Sequence, residues 1–460
     1  MPINDFSEYP MSWRPRRSAF PEGPYYLALA ALLERDIASG LLPPGTRLPP
    51  QRELADYLDL NFTTVTRAYD LCREKRLVYG VVGRGTFVAS LPGRGEGAEE
   101  ALLDFGVVQG FPGIGAKSVV VAAQAVLSRE SAERLFTYNA REGHVRAREA
   151  GRLWLARTGV SVPAARVVVF PGVQSALSTA LLSLFRVGET LAVDEFTYGN
   201  LISLARLARV RLVAVSGDNE GMLPSALDAV ARRHQVKGLF VMPRCANPTT
   251  LTMPVARRIE LAQVARARNL LVLEDDAALA PDPDAALQAH VPERTVYLAG
   301  SSRLVAPGLR ATFVAVPESL SSALLSGLHH TSIKASALDA EILGELVLSG
   351  AANRVLNLKL RAAQRVNRVF NRVFGTPASE TAPLFRCLPF PDTAGRGPEI
   401  ERMLRTQGVV VLHSDRFRVG RSTEAFLRLS ISNMAGDKGL ESALRKLKGL
   451  LCRNRLLLRR

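Results

Sequence analysis

The chain has 460 residues, too many for one ordinary core, so at least two domains are expected, one of them small. Its 59 Lys and Arg against 43 Asp and Glu leave a net charge of +16. That balance fits a polyanionic partner, although a genome that writes Arg on solvated faces accounts for part of it. Cys72, Cys245, Cys387 and Cys452 lie far apart with no CxxC spacing or histidine cluster, which supports neither a metal site nor a disulfide framework; they read as reduced, mostly buried thiols. The N-terminal "MPINDFSEYPMSWRPRRSAF" lacks a signal-peptide core, and no run reaches the roughly 18 apolar residues that span a bilayer. The expected compartment is the cytoplasm, with no membrane partner.

In chain order, "PYYLALAALLERDIASG" (24–40) places Leu27, Ala30, Ala31, Leu32 and Ile37 at helical spacing and stops at Gly40. "QRELADYLDL" reads as a short helix, Asn61 as a turn and cap, and "TTVTRAYDLCREKRL" as a second amphipathic helix. "VYGVVGRGTFVA" closes the unit as two short β-rich runs around Gly83, Arg84 and Gly85. Helix, helix, tight turn, helix and hairpin make the layout of a winged helix-turn-helix, expected over 20–89. Residues 90–103, rich in Gly and charge, read as a linker.

From 104 to 460 the texture changes. Buried-strand runs "RVVVF" (166–170), "TLAVDEF" (190–196), "RLVAVS" (211–216), "GLFVMP" (238–243), "NLLVLEDD" (269–276) and "TVYLAG" (295–300) alternate with helical stretches. Strands apolar on both faces predict a large α/β domain on a mostly parallel sheet. From about 340 the chain reads as helical up to Val373 and then as a smaller α+β lobe.

A helix-turn-helix reads DNA with side chains near the start of its second helix, while cations and hydroxyls clamp phosphates alongside. Thr63, Thr64 and Arg67 occupy that helix, Arg52 the first, Arg47 the segment before it, and Arg84 the hairpin tip. The "RLPPQRELA", "TTVTRAY" and "GRGTFV" segments resemble the GntR family of bacterial regulators. By that resemblance Arg52, Thr63, Thr64, Arg67 and Arg84 contact double-stranded operator DNA. Phe62 departs from the small polar or basic residue common there.

Three features of the large domain suit an anionic, planar, phosphate-bearing ligand. "FPGVQSALSTALL" runs from a strand through Gly172 into a helix, so the Val173 and Gln174 amides face outward at a helix N-terminus. "MPRCANPTT" ends a strand with Asn247 before a proline, and "VLEDDAAL" ends another with paired carboxylates. In this order the features resemble the fold-type-I aminotransferases, which use pyridoxal phosphate (PLP). Their fusion behind a GntR-type winged helix is the MocR family of transcriptional regulators. The resemblance implies that Gly172, Val173 and Gln174 form a phosphate cup, Tyr198 stacks on the pyridine ring, and Asn247 bonds the ring hydroxyl. It further implies that Asp275 pairs with the pyridine nitrogen, Ser302 and Arg310 hold phosphate, and Arg428 grips an amino-acid carboxylate.

Two departures bear on chemistry. In "SSRLVAPGLR" the family's lysine position falls on Arg303. A guanidinium is delocalised and stays protonated, so it cannot form a Schiff base. The tyrosine expected two residues after Asp275 is Ala277, and the loop before Arg303 is one residue short and lacks the usual aromatic. Lys334 is the nearest downstream amine, in a helical stretch. Arg303 either fills the pocket by pairing with Asp275 or Asp276, or binds an anionic group of a ligand held noncovalently.

The expected protein is therefore a homodimeric DNA-binding regulator that senses a small-molecule effector, PLP or another anionic metabolite, without a PLP aldimine. The alternatives are a PLP-dependent aminotransferase with a fused regulatory module, for which Arg303 leaves no Schiff-base partner, and an architectural dimer that binds no ligand.

Overall fold

The structure is a computed structural model that describes residues 11–454 apart from 22, 40, 44, 76, 82–84, 90–101, 139, 285, 378–380, 391–392 and 434–435. The chain divides into two compact units, Met1–Ala101 and Leu102–Arg460.

In the first unit, α1 (Tyr25–Ala38), α2 (Gln51–Leu58) and α3 (Phe62–Glu74) precede a hairpin of β1 (Val78–Val81) and β2 (Gly85–Val88). Helix α3 starts where the Asn61 side chain accepts a 2.9 Å bond from the Thr63 amide, the capping role its sequence position predicted. Asp59, in a left-handed conformation (φ 51°), ends α2 and makes the turn between the two helices tight. Val65, Ala68, Tyr69 and Cys72 recur at helical spacing on one face of α3 and are buried with Leu29, Leu32 and Leu33 of α1. Leu27 and Ala31, assigned by spacing to the same stripe of α1, face solvent instead, because the buried stripe runs through Leu29, Leu33 and Ile37. In the hairpin, Tyr79 opposes Phe87 in register and their rings stack at 5.7 Å. The core also reaches back beyond residue 20: Trp13 is buried and its indole N–H donates to Asp36 at 3.0 Å.

In the second unit, seven strands build the central sheet: β3 (Val167–Phe170), β4 (Thr190–Asp194), β5 (Arg211–Val215), β6 (Val236–Val241), β7 (Leu271–Asp275), β8 (Thr295–Leu298) and β9 (Thr312–Ala315). Their spatial order is β3-β9-β8-β7-β6-β4-β5. Only β9 runs antiparallel to its neighbours. It is the strand that the sequence runs missed, four residues squeezed between the Pro-Gly turn and the next helix. Alternate strand residues face opposite ways: Phe170, Leu191, Phe240 and Leu273 pack with Ala176, Leu177 and Leu324, while Val169, Tyr297 and Phe313 pack with Ala150 and Trp154. Helices on both faces explain why the strand sequences are almost continuously apolar.

The C-terminal lobe carries a three-stranded antiparallel sheet, order β10 (Phe385–Pro389), β12 (Phe426–Ser430), β11 (Leu412–His413). Two long helices, α8 (Ala351–Phe374) and α9 (Asp437–Arg453), belong to it; the shorter α4 (Val173–Leu184), α5 (Gly199–Leu207), α6 (Ser301–Val305) and α7 (Glu318–Ser332) belong to the sheet region. Leu103, which the composition assigns to the linker, already pairs in parallel with Val409; two strand residues are too few to leave a periodic signal. The thiols are free, and only Cys72 is buried; Cys245 and Cys387 are half-buried and Cys452 is exposed, so the expectation of mostly buried thiols does not hold. No helix among the described residues is long and apolar enough to cross a membrane.

One buried charge stands out in this unit. Lys359 of α8 is 2% exposed, and its ammonium donates to the Val305 carbonyl, at the end of α6, at 3.2 Å. Burial pushes its pKa down to about 8. The unfolded chain therefore holds this proton more tightly than the folded one between pH 8 and the ordinary lysine value of about 10.4, so stability gains from Lys359 as pH rises through that window. Lys359→Met is expected to raise the unfolding free energy at pH 7 by up to ~3 kcal/mol, with the gain shrinking toward pH 10. Denaturant unfolding of both proteins across that pH range measures it.

Candidate functional site

On the first unit the exposed side chains of α3 begin with Phe62 and Thr63 and continue to Arg67. Thr63 turns its hydroxyl back on Asn61 Oδ1 at 2.8 Å, which braces the helix start. Thr64 is half-buried, whereas Arg67 projects into solvent. Thr66 donates across to Gln51 of α2 at 2.9 Å and so couples the two helices. Arg52 of α2 lies over the Phe62 ring at 5.7 Å, so the aromatic that departs from the family's pattern serves as a platform for a cation expected to contact DNA. Arg47 sits beside the wing, where its residue bridges Phe87 and its guanidinium lies close to Gly85. Arg84 lies outside the described residues.

On the second unit the strand order reverses between β4 and β6, and in open α/β sheets the crevice at such a switch point takes ligands. A cleft of about 640 Å³ opens there. Tyr198 enters it from the segment after β4, Asn247 and Cys245 from the segment after β6, Ala277 from the segment after β7, and Arg428 from β12. Asn247 is 7% exposed, and its Oδ1 is buried without a hydrogen-bond partner among the described residues. The Tyr198 hydroxyl accepts a 3.1 Å bond from Asn200, whose amide also reaches Gln174 at 3.4 Å. Arg428 lies between the rings of Phe385 (5.3 Å) and Phe417 (5.6 Å) and donates to the Gly106 carbonyl.

The start of α4 carries the residues expected to form the phosphate cup, which are not among those lining the cleft. Gly172 has φ 83°, a conformation that favours glycine, and a Cβ there would lie 2.8 Å from Arg310 Nη2. The guanidinium is therefore packed against the bare backbone that leads into the Val173 and Gln174 amides, a cation and a helix N-terminus at one point. Asp275 ends β7 in full burial. Ser302 and Arg303 lie on α6, and their side chains lie outside what the structure describes.

The paired carboxylates divide their work. Successive strand residues point to opposite faces, so Asp275 and Asp276 do not share one ligand. Asp276 accepts from Arg244 at 2.6 Å and from the Tyr297 hydroxyl at 2.6 Å. Of the two partners expected for Arg303, Asp276 is thus already held by Arg244, a residue that sequence reasoning passed over because it sits in a turn far along the chain. The same carboxylate raises the Tyr297 phenol pKa further, on top of the larger effect of burial. Lys334 lies between helices rather than within one, and its ammonium donates to the Thr137 carbonyl at 3.0 Å.

A model of the aminotransferase class I and II family matches residues 109–447, and one of the bacterial gntR family of regulatory proteins matches residues 25–88. The chain is 33% identical over 98% of its length to YdeF, an uncharacterized HTH-type transcriptional regulator of Bacillus subtilis (strain 168), of which it covers 99%. The chain belongs to the GntR-type regulators fused to a class I and II aminotransferase domain. A second relative, the probable rhizopine catabolism regulatory protein MocR of Rhizobium meliloti, is 26% identical over 71% of this chain and 72% of its own. Among solved structures, the α-aminoadipate aminotransferase LysN of Thermus thermophilus, complexed with N-(5'-phosphopyridoxyl)-L-leucine, is similar with a TM-score of 0.67 and 24% identity. It covers 77% of this chain and 94% of its own.

In this GntR-type regulator the residues expected to hold a pyridoxal-phosphate-like molecule suit it chemically on three points, although of the residues behind these points only Asn247 lines the cleft itself. Asn247 offers a buried acceptor with no partner among the described residues, Arg310 sets a cation against the bare Gly172 backbone, and Asp275 is a buried carboxylate at the end of β7. Ala277 lines the cleft where the aminotransferase pattern has a tyrosine, leaving one wall without a ring contact.

Proposed function

We propose that this protein is a cytoplasmic DNA-binding transcriptional regulator whose aminotransferase-like domain pairs two copies and binds a small anionic molecule without a covalent bond to a lysine. The observation that carries the noncovalent part is Arg303, at the position of the family's lysine in "SSRLVAPGLR". Its guanidinium has no free lone pair at neutral pH. Lys334 and Lys359 are each engaged with a backbone carbonyl, of Thr137 and of Val305 at the end of α6, and the proposed reading assigns neither a covalent role. Bound PLP would supply an electron-withdrawing ring and an aldehyde. Gly172, Val173, Gln174, Ser302 and Arg310 would hold its phosphate, Tyr198 its ring face, Asn247 its hydroxyl and Asp275 its ring nitrogen, with Arg428 placed to orient a carboxylate. The chain's residues then bind and orient a ligand; they do not turn it over.

Pairing is supported by apolar side chains left exposed in one stretch of the second unit, Val120, Val121, Leu127, Phe136 and Tyr138. A ligand alters DNA affinity in such a dimer only if it binds two arrangements unequally. On the DNA side, Arg67 and Thr64 are assigned to base edges, and Arg47, Arg52, Thr63 and Arg84 to the phosphate backbone.

Arg67→Ala is expected to weaken binding to an operator duplex selected in vitro by the full-length protein by about tenfold to a hundredfold, and to relax its sequence preference. Fluorescence anisotropy against the selected duplex and single-base variants measures both; equal affinity and preference would remove α3 from the reading role. Gly172→Ala is expected to push the Arg310 guanidinium away from the helix start and to weaken PLP or inorganic phosphate binding at least about tenfold by calorimetry, with the thermal midpoint lowered by a few degrees because a Cβ at φ 83° is strained.

A further inference from the structure

Helix α8 carries Arg354, Lys359, Arg361, Arg365, Arg368 and Arg372 and no carboxylate in 24 residues. Apart from the buried Lys359, the cations fall on its exposed face: Arg354, Arg361, Arg365, Arg368 and Arg372 are all exposed. The spacing of the last four, alternately four and three residues, keeps them in one stripe. Helix α9 packs against α8 and adds exposed Lys438, Arg445, Lys446 and Arg453, offset only by Asp437 and Glu441.

The arrangement differs from the treatment of arginine elsewhere on this chain. Other helices set an acid one turn from the cation, as in Arg73–Asp70, Arg152–Glu149, Arg232–Asp228 and Arg396–Glu399. On α8 the longer contacts Arg365–Asp437 (3.8 Å) and Arg372–Glu441 (3.4 Å) reach to another helix, and Arg361 and Arg368 make no hydrogen bond or ion pair among the described residues. Like charges one turn apart destabilise a helix. An arginine bias in the genome explains the abundance of arginine but not the missing acids.

We infer that the α8–α9 face is a second DNA-contact surface, binding the phosphate backbone of duplex flanking the site read by the winged helix. The stripe from Arg354 to Arg372 is about 27 Å long at 1.5 Å per residue, which matches about eight base pairs of backbone. No sequence is read there, because a row of guanidiniums at this spacing meets phosphates uniformly. The inference rests on the DNA-binding reading above, since a winged helix that holds duplex on the same chain makes the second contact intramolecular.

The test uses the full-length protein and a duplex several helical turns long that embeds the operator selected in vitro in mixed-sequence flanks, with binding followed by anisotropy across a salt series. Arg361→Glu/Arg368→Glu and the milder Arg361→Gln/Arg368→Gln are compared with the natural chain, with Arg67→Ala as a control for the winged helix. The expected result is a salt slope shallower by about 2 per protomer in the Gln pair, with affinity reduced about tenfold or more in the Glu pair. A duplex too short to extend past the winged helix should bind all of these except Arg67→Ala alike. Unchanged slope and affinity in both charge variants, with Arg67→Ala weakened, would overturn the second surface and leave the winged-helix reading intact. No effect of Arg67→Ala on either duplex, with the charge variants weakened, would fault the winged-helix reading instead. Loss of binding to phosphatidylserine vesicles by the charge variants, with long-duplex binding unchanged, would also overturn the inference and assign the face to an anionic membrane.

Discussion

Both faces of the seven-stranded sheet are covered by helices, so polar groups can converge only along the edge where the strands end. The sheet's side of the cleft follows from that constraint, and the C-terminal lobe supplies the rest, including Arg428. The segments after β4, β6 and β7 deliver Tyr198, Asn247 and Ala277 to one edge, and the reversal of strand order between β4 and β6 spreads those segments apart enough to leave a cleft. Gly172 then brings the start of α4 against Arg310, at a contact with no room for a Cβ. The geometry proposed to receive a phosphorylated ring is thus a consequence of the fold, and in the proposed reading it does not depend on a lysine at residue 303.

The same separation of scaffold from chemistry explains how one chain can join a DNA-reading module to an aminotransferase body. An aminotransferase domain must bind a ligand, orient it and break bonds; a regulator needs only the first two. Under the proposed reading, arginine at residue 303 removes the last task and leaves the others in place. The two compact units divide the labour accordingly, one exposing Arg67 on a capped helix and the other holding a cleft lined by Arg428 and Asn247.

Much of this was legible in the sequence because it rests on local rules. Asn61 at a helix start, the apolar spacing of α3, and Gly172 between a strand and a helix each announce a backbone requirement that few residues satisfy. Six of the seven strands were visible as apolar runs, since burial on both faces leaves little else in them. What escaped were properties set by partners distant in the chain. Strand β9 is short and antiparallel, Trp13 is buried only because Asp36 accepts its N–H, and Asp276 is claimed by Arg244 and Tyr297 from 32 and 21 residues away. Leu27 shows the converse, an apolar residue at plausible spacing whose helix turns its buried stripe elsewhere.

The most direct test of the account is the intact mass of the full-length protein after incubation with PLP and borohydride reduction, alongside Arg303→Lys. The account predicts an unchanged mass for the natural chain even when PLP binds saturably by calorimetry, and one reduced phosphopyridoxyl group in the variant. A stoichiometric adduct on any lysine of the natural chain would contradict it, because the covalent chemistry that Arg303 is taken to abolish would then be present.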